Sequence, residues 1–173
     1  MPFGSYSLVD GEHKRERENL RIHDYFFAKT LDKVRPGGIV AFITSKGTLD
    51  KANSSVREYL AQRAELLGAV RLPNNAFKDN AGTEVTADII FLQKRDKIVD
   101  DIQADWTQAH ENADGIRVND YFIQHPEMVL GKMVLDSRMY GNENETTCEP
   151  IEGADLGEQL NEALGKIEGY SYE

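Results

Sequence analysis

Between Arg35 and Lys94 the chain alternates short apolar runs with polar loops, a pattern that predicts three strands. Ile39-Val40-Ala41-Phe42-Ile43 has no polar alternation, as expected of a strand covered on both faces in a parallel sheet flanked by helices. Its β-branched residues and the glycines before it favour a strand over a short buried helix. Thr44-Ser45-Lys46-Gly47 follows as a loop at its carboxyl end. The second run, Leu66 to Leu72, stops at Pro73, and the polar loop Asn74 to Glu84 leads into a third, Val85 to Gln93. The latter is apolar on both faces in its second half and ends in the charged cluster Lys94-Arg95-Asp96-Lys97.

Helical spacing frames this block. Glu12 to Val34 reads as a helix with Leu20, Phe27, Leu31 and Val34 on one stripe and Phe26 beside it. It must stop near Arg35, because Pro36 disfavours helical geometry in the residue before it and Gly37-Gly38 suit a reversal. Ser55-Val56-Arg57-Glu58 has the spacing of a capping box, in which hydroxyl and carboxylate each satisfy a free backbone amide. The helix it opens runs to about Glu65, with Val56, Tyr59, Leu60 and Ala64 inward. From Ile98 to Gly115 the chain is polar, with Trp106 as an anchor, and Val118 to Gly131 holds short apolar patches without clear period. Asn142 to Thr147 reads as a polar loop, and Asp155 to Ile167 as a last helix with Leu156, Leu160, Leu164 and Ile167 on one stripe.

A chain of 173 residues, 40% hydrophobic, is long enough for one core, or for one domain with a loosely attached extension. We divide it at residue 97. No apolar run approaches the ~20 residues that span a bilayer, and the amino terminus lacks the basic-then-apolar layout of a signal peptide. Cys148 is alone, so no internal disulfide forms, and its thiol suits a reducing cytoplasm. His13, His23, His110 and His125 show no metal-ligand spacing. The net charge of −10 argues against a general nucleic-acid binder, but it is unevenly spread: residues 1–97 carry 16 Lys/Arg against 13 Asp/Glu, and residues 98–173 carry 4 against 17. The first part could face phosphates, which would repel the second.

The succession Pro2-Phe3-Gly4, long helix, Pro36-Gly37-Gly38-strand-Thr44-Ser45, helix, strand-Leu72-Pro73-Asn74-Asn75-Ala76-Phe77, loop, Thr83-Glu84-Val85-Thr86-Ala87-Asp88-Ile89-Ile90-Phe91-Leu92 resembles the carboxyl half of an N6-adenine DNA methyltransferase. It is most similar to modification subunits of type I restriction systems and to helicase–methylase proteins of mobile elements. The resemblance covers Pro2 to roughly Lys94, and Asn119 to Gly131 looks like a segment of the helicase–methylase group. It implies a partial Rossmann-like, S-adenosylmethionine-dependent methyltransferase fold: an α/β downstream half with a mixed sheet and flanking helices.

The family's catalytic tetrapeptide, Asn/Asp-Pro-Pro-Phe/Tyr, holds the adenine amino group and stacks on the flipped base. Only Pro2, Phe3 and Gly4 match it; Met1 stands where the first proline belongs. The chain therefore reads as cut inside the motif, with the upstream S-adenosylmethionine site belonging to the parent protein only. Gly37-Gly38 is no substitute, because it precedes a strand instead of following one. The resemblance places Phe77 against the extruded adenine, where stacking contributes ~1–3 kcal/mol per base; the alternative is a core cap under the loop. Lys46 lies on the ligand side of the sheet, or is a solvated lysine. Asn74 and Asn75 contact base or backbone, or make a turn. Thr83 and Thr86 are read as satisfying the loop, Trp106 as packing, and His125-Pro126 as a turn.

The implied function is that of a DNA adenine methyltransferase fragment supplying the adenine-facing loops, inactive alone; the competing reading is a non-catalytic scaffolding module of a larger DNA-processing protein. A dinucleotide-binding oxidoreductase half fits poorly, since no Gly-x-Gly-x-x-Gly follows a strand. In the family fold Ile39–Ile43 lies between the strand entering the tetrapeptide and the antiparallel last strand, so the missing half uncovers an edge. Self-association through that edge, or its cover by the acidic tail, is the expected consequence.

Overall fold

The computed structural model describes residues 22–77, 85–135 and 146–167. Helix α1 (Ile22–Lys33) leads to strand β1 (Ile39–Ser45), the single turn α2 (Gly47–Asp50), helix α3 (Ser55–Arg63) and strand β2 (Ala64–Arg71). Strand β3 (Ala87–Lys94) follows, then β4 (Ala109–Glu111), β5 (Arg117–Asn119), α4 (Asp120–Gln124), β6 (Gly131–Leu135), β7 (Thr146–Pro150) and α5 (Leu156–Gly165). The result is a mixed α/β structure with small antiparallel sheets. No helix among these residues is long and apolar enough to cross a membrane.

The principal sheet has the order β1-β3-β2. Its middle strand runs antiparallel to both neighbours, pairing Ser45 with Ala87 on one side and Arg71 with Asp88 on the other. β1 and β2 therefore point the same way, and their carboxyl ends meet the start of β3. The antiparallel pairing of β1 and β3 is the one implied by the resemblance.

Turn chemistry sets the boundaries. α1 ends before Pro36, and Gly37 takes the left-handed conformation, φ 79°, which costs a residue without a Cβ little. Its amide donates to the Lys94 carbonyl at 2.8 Å, and Lys94 Nζ donates to the Val34 carbonyl at 2.8 Å, so the end of β3 closes the end of α1. The predicted capping box is not made: the cap is Ser54, whose hydroxyl donates to Glu58 Oε1 at 3.1 Å, while Ser55 is held by Asn53 Oδ1. A residue just before the predicted one thus occupies the position that faces Glu58. Val56, Tyr59, Leu60 and Ala64 are buried, as their spacing predicts.

Two further expectations are corrected. β1 is not covered on both faces: Val40, Phe42 and Thr44 are half-buried, with Phe42 against Phe27 at 4.7 Å, whereas Ile39, Ala41 and Ile43 are exposed. An unbroken apolar run does not separate a doubly covered strand from an edge strand with one open face. Thr146 and Thr147, read as loop, pair with Leu135 and Val134 in the β6–β7 hairpin. Among the described residues, Ile167, just past α5, sits against Gly68 of β2, on the edge of the sheet opposite β1.

The core joins early and late residues. Phe27, Leu31, Leu49, Leu60, Val70 and Leu92 form one cluster with Trp106, Phe122, Met128, Leu130 and Ala163. Truncating a fully buried leucine such as Leu31 or Leu92 to alanine costs ~2–5 kcal/mol. A smaller cluster, Ile116, Val118, Met133 and Cys148, fills the space between the two hairpins.

Candidate functional site

Because β1 and β2 run parallel, the loops that leave them gather at one end of the sheet with the segment entering β3. Lys46 leaves β1 there, half-buried, and its amide donates to the Thr86 carbonyl at 3.1 Å. β2 is followed by Leu72-Pro73 and the turn carrying Asn74, Asn75 and Phe77.

The two asparagines separate. Asn74 is buried: its amide donates to the Cys148 carbonyl at 2.7 Å and its side-chain amide to the Thr147 hydroxyl at 3.0 Å. Thr86 Oγ1 accepts from the Cys148 amide at 2.9 Å and meets Thr147 Oγ1 at 3.4 Å. Asn74 thus anchors the loop to β7, and Thr86 satisfies the backbone, as read from the sequence. Asn75 is exposed, and Phe77 remains 39% exposed at the loop's surface.

Beneath these loops lies an ionic knot that pattern reading missed. Arg71, fully buried, donates from Nε and Nη2 to Asp88 at 2.8 and 2.9 Å, and from Nη1 and Nη2 to Asp50 at 2.7 and 2.9 Å. Asp50 Oδ1 also accepts from the Asn119 amide at 3.0 Å. Phe122 lies 4.6 Å under the guanidinium, and the Arg71 carbonyl accepts from the Leu130 amide. The two carboxylates hold Arg71 charged despite its burial; burial raises the Asp88 carboxyl while Arg71 opposes the rise.

Arg57 is the knot's second cation. It is buried and donates to the carbonyls of Thr107, Thr48 and Lys51 at 2.8, 3.2 and 2.9 Å, with its proton affinity lowered by burial. Asn119 completes the network by donating to the Leu49 and Trp106 carbonyls at 2.8 and 2.7 Å. A signal for the knot was present: one base and one acid, Arg71 and Asp88, each interrupt an otherwise apolar strand.

The remaining candidates sit elsewhere. Trp106 is buried in the core, consistent with packing. His125 ends α4 and Pro126 opens a 3-10 turn, with the imidazole 4.7 Å from the Tyr121 ring. Pro2, Phe3 and Thr83 lie outside the described residues, as does the amino-terminal part of the predicted first helix.

The structure thus gathers the polar turns that follow β1 and β2 at one end of the principal sheet. The sequence profile of the N-6 DNA methylase family matches residues 9–125, and the chain belongs to that family. Over 95 residues, 54% of this chain, it is 33% identical to the Defense against restriction protein B of Escherichia phage P1. The chain spans only about 4% of that relative's length. No solved structure matches it.

Proposed function

We propose that the chain is the downstream portion of the catalytic domain of an adenine-N6 DNA methyltransferase, a Rossmann-like half that supplies adenine-facing loops in a cytoplasmic restriction-modification or anti-restriction protein. The observation that carries this reading is the turn after β2, where a buried Asn74 fixes a loop whose Asn75 and Phe77 stay at the surface. A flipped base needs an anchored platform with a free aromatic face. Lys46 enters the same end of the sheet.

The described residues do not fit S-adenosylmethionine. That cofactor needs a glycine-rich turn from a strand into a helix and an acid on the next strand. Here β1 is followed by Lys46-Gly47 and a single helical turn, β2 by Leu72-Pro73-Asn74, and β3 by Arg95-Asp96. The acid on β3, Asp88, has both oxygens on Arg71. In our reading the donor is held by another part of the parent domain, which docks on the edge of β1 that no described strand pairs with and covers Ile39 and Ile43; alone, the chain self-associates there.

Calorimetric titration of the 173-residue chain with S-adenosylmethionine is expected to show no binding. Co-expression with a segment carrying the Asn/Asp-Pro tetrapeptide and the glycine-rich turn is expected to restore methyl transfer to adenine, with Phe77→Ala lowering it at least tenfold. Micromolar cofactor binding by the chain alone, or full transfer by the Phe77→Ala pair, would contradict the reading.

A further inference from the structure

The turn that carries Asn75 and Phe77 is held from a distant part of the chain. It is closed by the Ala76 amide, which donates to the Pro73 carbonyl at 3.1 Å, and Ala76 packs against the main core. Asn74, inside this turn, is buried, with its side-chain amide on Thr147 Oγ1. The next residue of β7 serves two segments at once. The Cys148 carbonyl takes the Asn74 amide of the turn after β2, and the Cys148 amide donates to Thr86 Oγ1 at the entry to β3.

Strand β7 is itself fixed through its partner β6, which starts against the end of β2. Leu130, which leads into β6, donates its amide to the Arg71 carbonyl at 2.9 Å, and Val129 bridges Arg71 in parallel. A Cβ on Gly131 would come 2.7 Å from Cys148 Sγ, so the hairpin strands approach more closely there than a larger residue allows. This hairpin lies beyond the part of the chain that matches the methylase family: the profile ends at residue 125, and β6 begins at Gly131.

We propose that Thr147 is a positioning residue for the base-stacking aromatic: its hydroxyl, acting through Asn74, sets the direction in which Phe77 is presented and thereby the rate of transfer. The inference rests on the methyltransferase reading and names a control of that same site. Thr147 is buried, so it acts through Asn74 and not by touching the base. Without the hydroxyl, the Asn74 carboxamide would be left buried and unpaired, which is costly. Turning it out to water relieves that cost, and a turn as short as Pro73–Ala76 cannot release Asn74 without swinging Phe77. A misplacement of about 1 Å in a positioning group can cost about 10²-fold in rate.

The test is a double-mutant cycle in methyl transfer by the co-expressed pair. Thr147→Val, which keeps the shape of the side chain but not its hydroxyl, is expected to lower kcat about tenfold or more. The KM for S-adenosylmethionine stays unchanged, because the donor is held elsewhere. Thr147→Ser, which keeps the hydroxyl and loses a buried methyl, is expected to retain most of kcat even where its melting temperature falls. In a Phe77→Ala background, Thr147→Val is expected to add no further loss, since it acts through that ring. In the 173-residue chain alone, NMR is expected to show slow exchange of the Asn74 side-chain amide protons, slow exchange in Thr147→Ser and fast exchange in Thr147→Val. A merely structural threonine would lower the melting temperature of both variants and move kcat in neither, or would add its loss in full to that of Phe77→Ala. Either result, or slow Asn74 exchange in Thr147→Val, overturns the proposal and leaves the methyltransferase reading standing. Absence of transfer by the unaltered pair overturns both.

Discussion

Replacing Arg71 by methionine is the sharpest probe of how the molecule is held together. The substitution keeps an unbranched apolar stem but removes a cation that makes four bonds of 2.7–2.9 Å to Asp50 and Asp88. Both carboxylates are buried, so the variant retains two acids in low dielectric without the guanidinium that is bonded to both. Breaking a buried pair from one side costs ~3–5 kcal/mol. A domain of this size is stable by ~5–15 kcal/mol, so the loss consumes about a fifth of it or more. Urea unfolding followed by tryptophan fluorescence reports it directly, because Trp106 is buried and its carbonyl is bonded to Asn119 in the same network. The deficit is expected to shrink on acidification: burial raises the proton affinity of Asp88 and without Arg71 nothing bonded to it opposes the rise, so the native state binds more protons than the unfolded one, and lowering the pH stabilises it relative to the parent. Arg71→Met/Asp50→Asn/Asp88→Asn is expected to recover most of the loss at neutral pH. A cost below 1 kcal/mol for Arg71→Met, or one that does not change with pH, would refute the account of the knot.

Two further substitutions examine the packing around it. A Cβ on Gly68 would come 2.7 Å from Ile167 Cγ1, so Gly68→Ala should destabilise by ~1–3 kcal/mol and speed amide exchange in α5, with Ile167→Ala restoring both; unchanged exchange would show that α5 does not depend on this contact. Burial pushes the Cys148 thiol from 9.0 to about 12, so the native state stays protonated where the unfolded thiol ionises, and stability should fall as pH rises between about 9 and about 12. Cys148→Ala should flatten that decline, and matching pH slopes in parent and variant would contradict it.

The strands, the end of α1 and the inward face of α3 could be read from the sequence because each rests on local rules: apolar period, proline stops and glycine reversals. The last helix was legible for the same reason, with Asp155 at its start accepting from the Glu158 amide at 3.0 Å. That β1 pairs with β3 came from the resemblance to the methylases, not from periodicity, and the place of β2 on the other side of β3 was not foreseen. The polar interior was not legible. Asp50, Arg57 and Asn119 look like ordinary surface residues in a linear pattern, and they become core only because their partners lie 50–70 positions away, as Arg57 with Thr107 and Asn119 with Leu49. Asn74 and Asn75 carry the same side chain, and only the arrival of β7 makes the first an anchor while leaving the second outward. Thr146 and Thr147 misled because threonine is as common in polar turns as in strands, and their register with β6 is a long-range fact.

The grip of β7 on Asn74 separates architecture from aim. Shortening the chain ahead of Thr146 would spare the three principal strands and their mutual pairing, yet Asn74 would forfeit its tethers and the Phe77 platform would be free to wander. The hairpin near the carboxyl terminus therefore sets where the turn after β2 sits, however remote it looks along the chain.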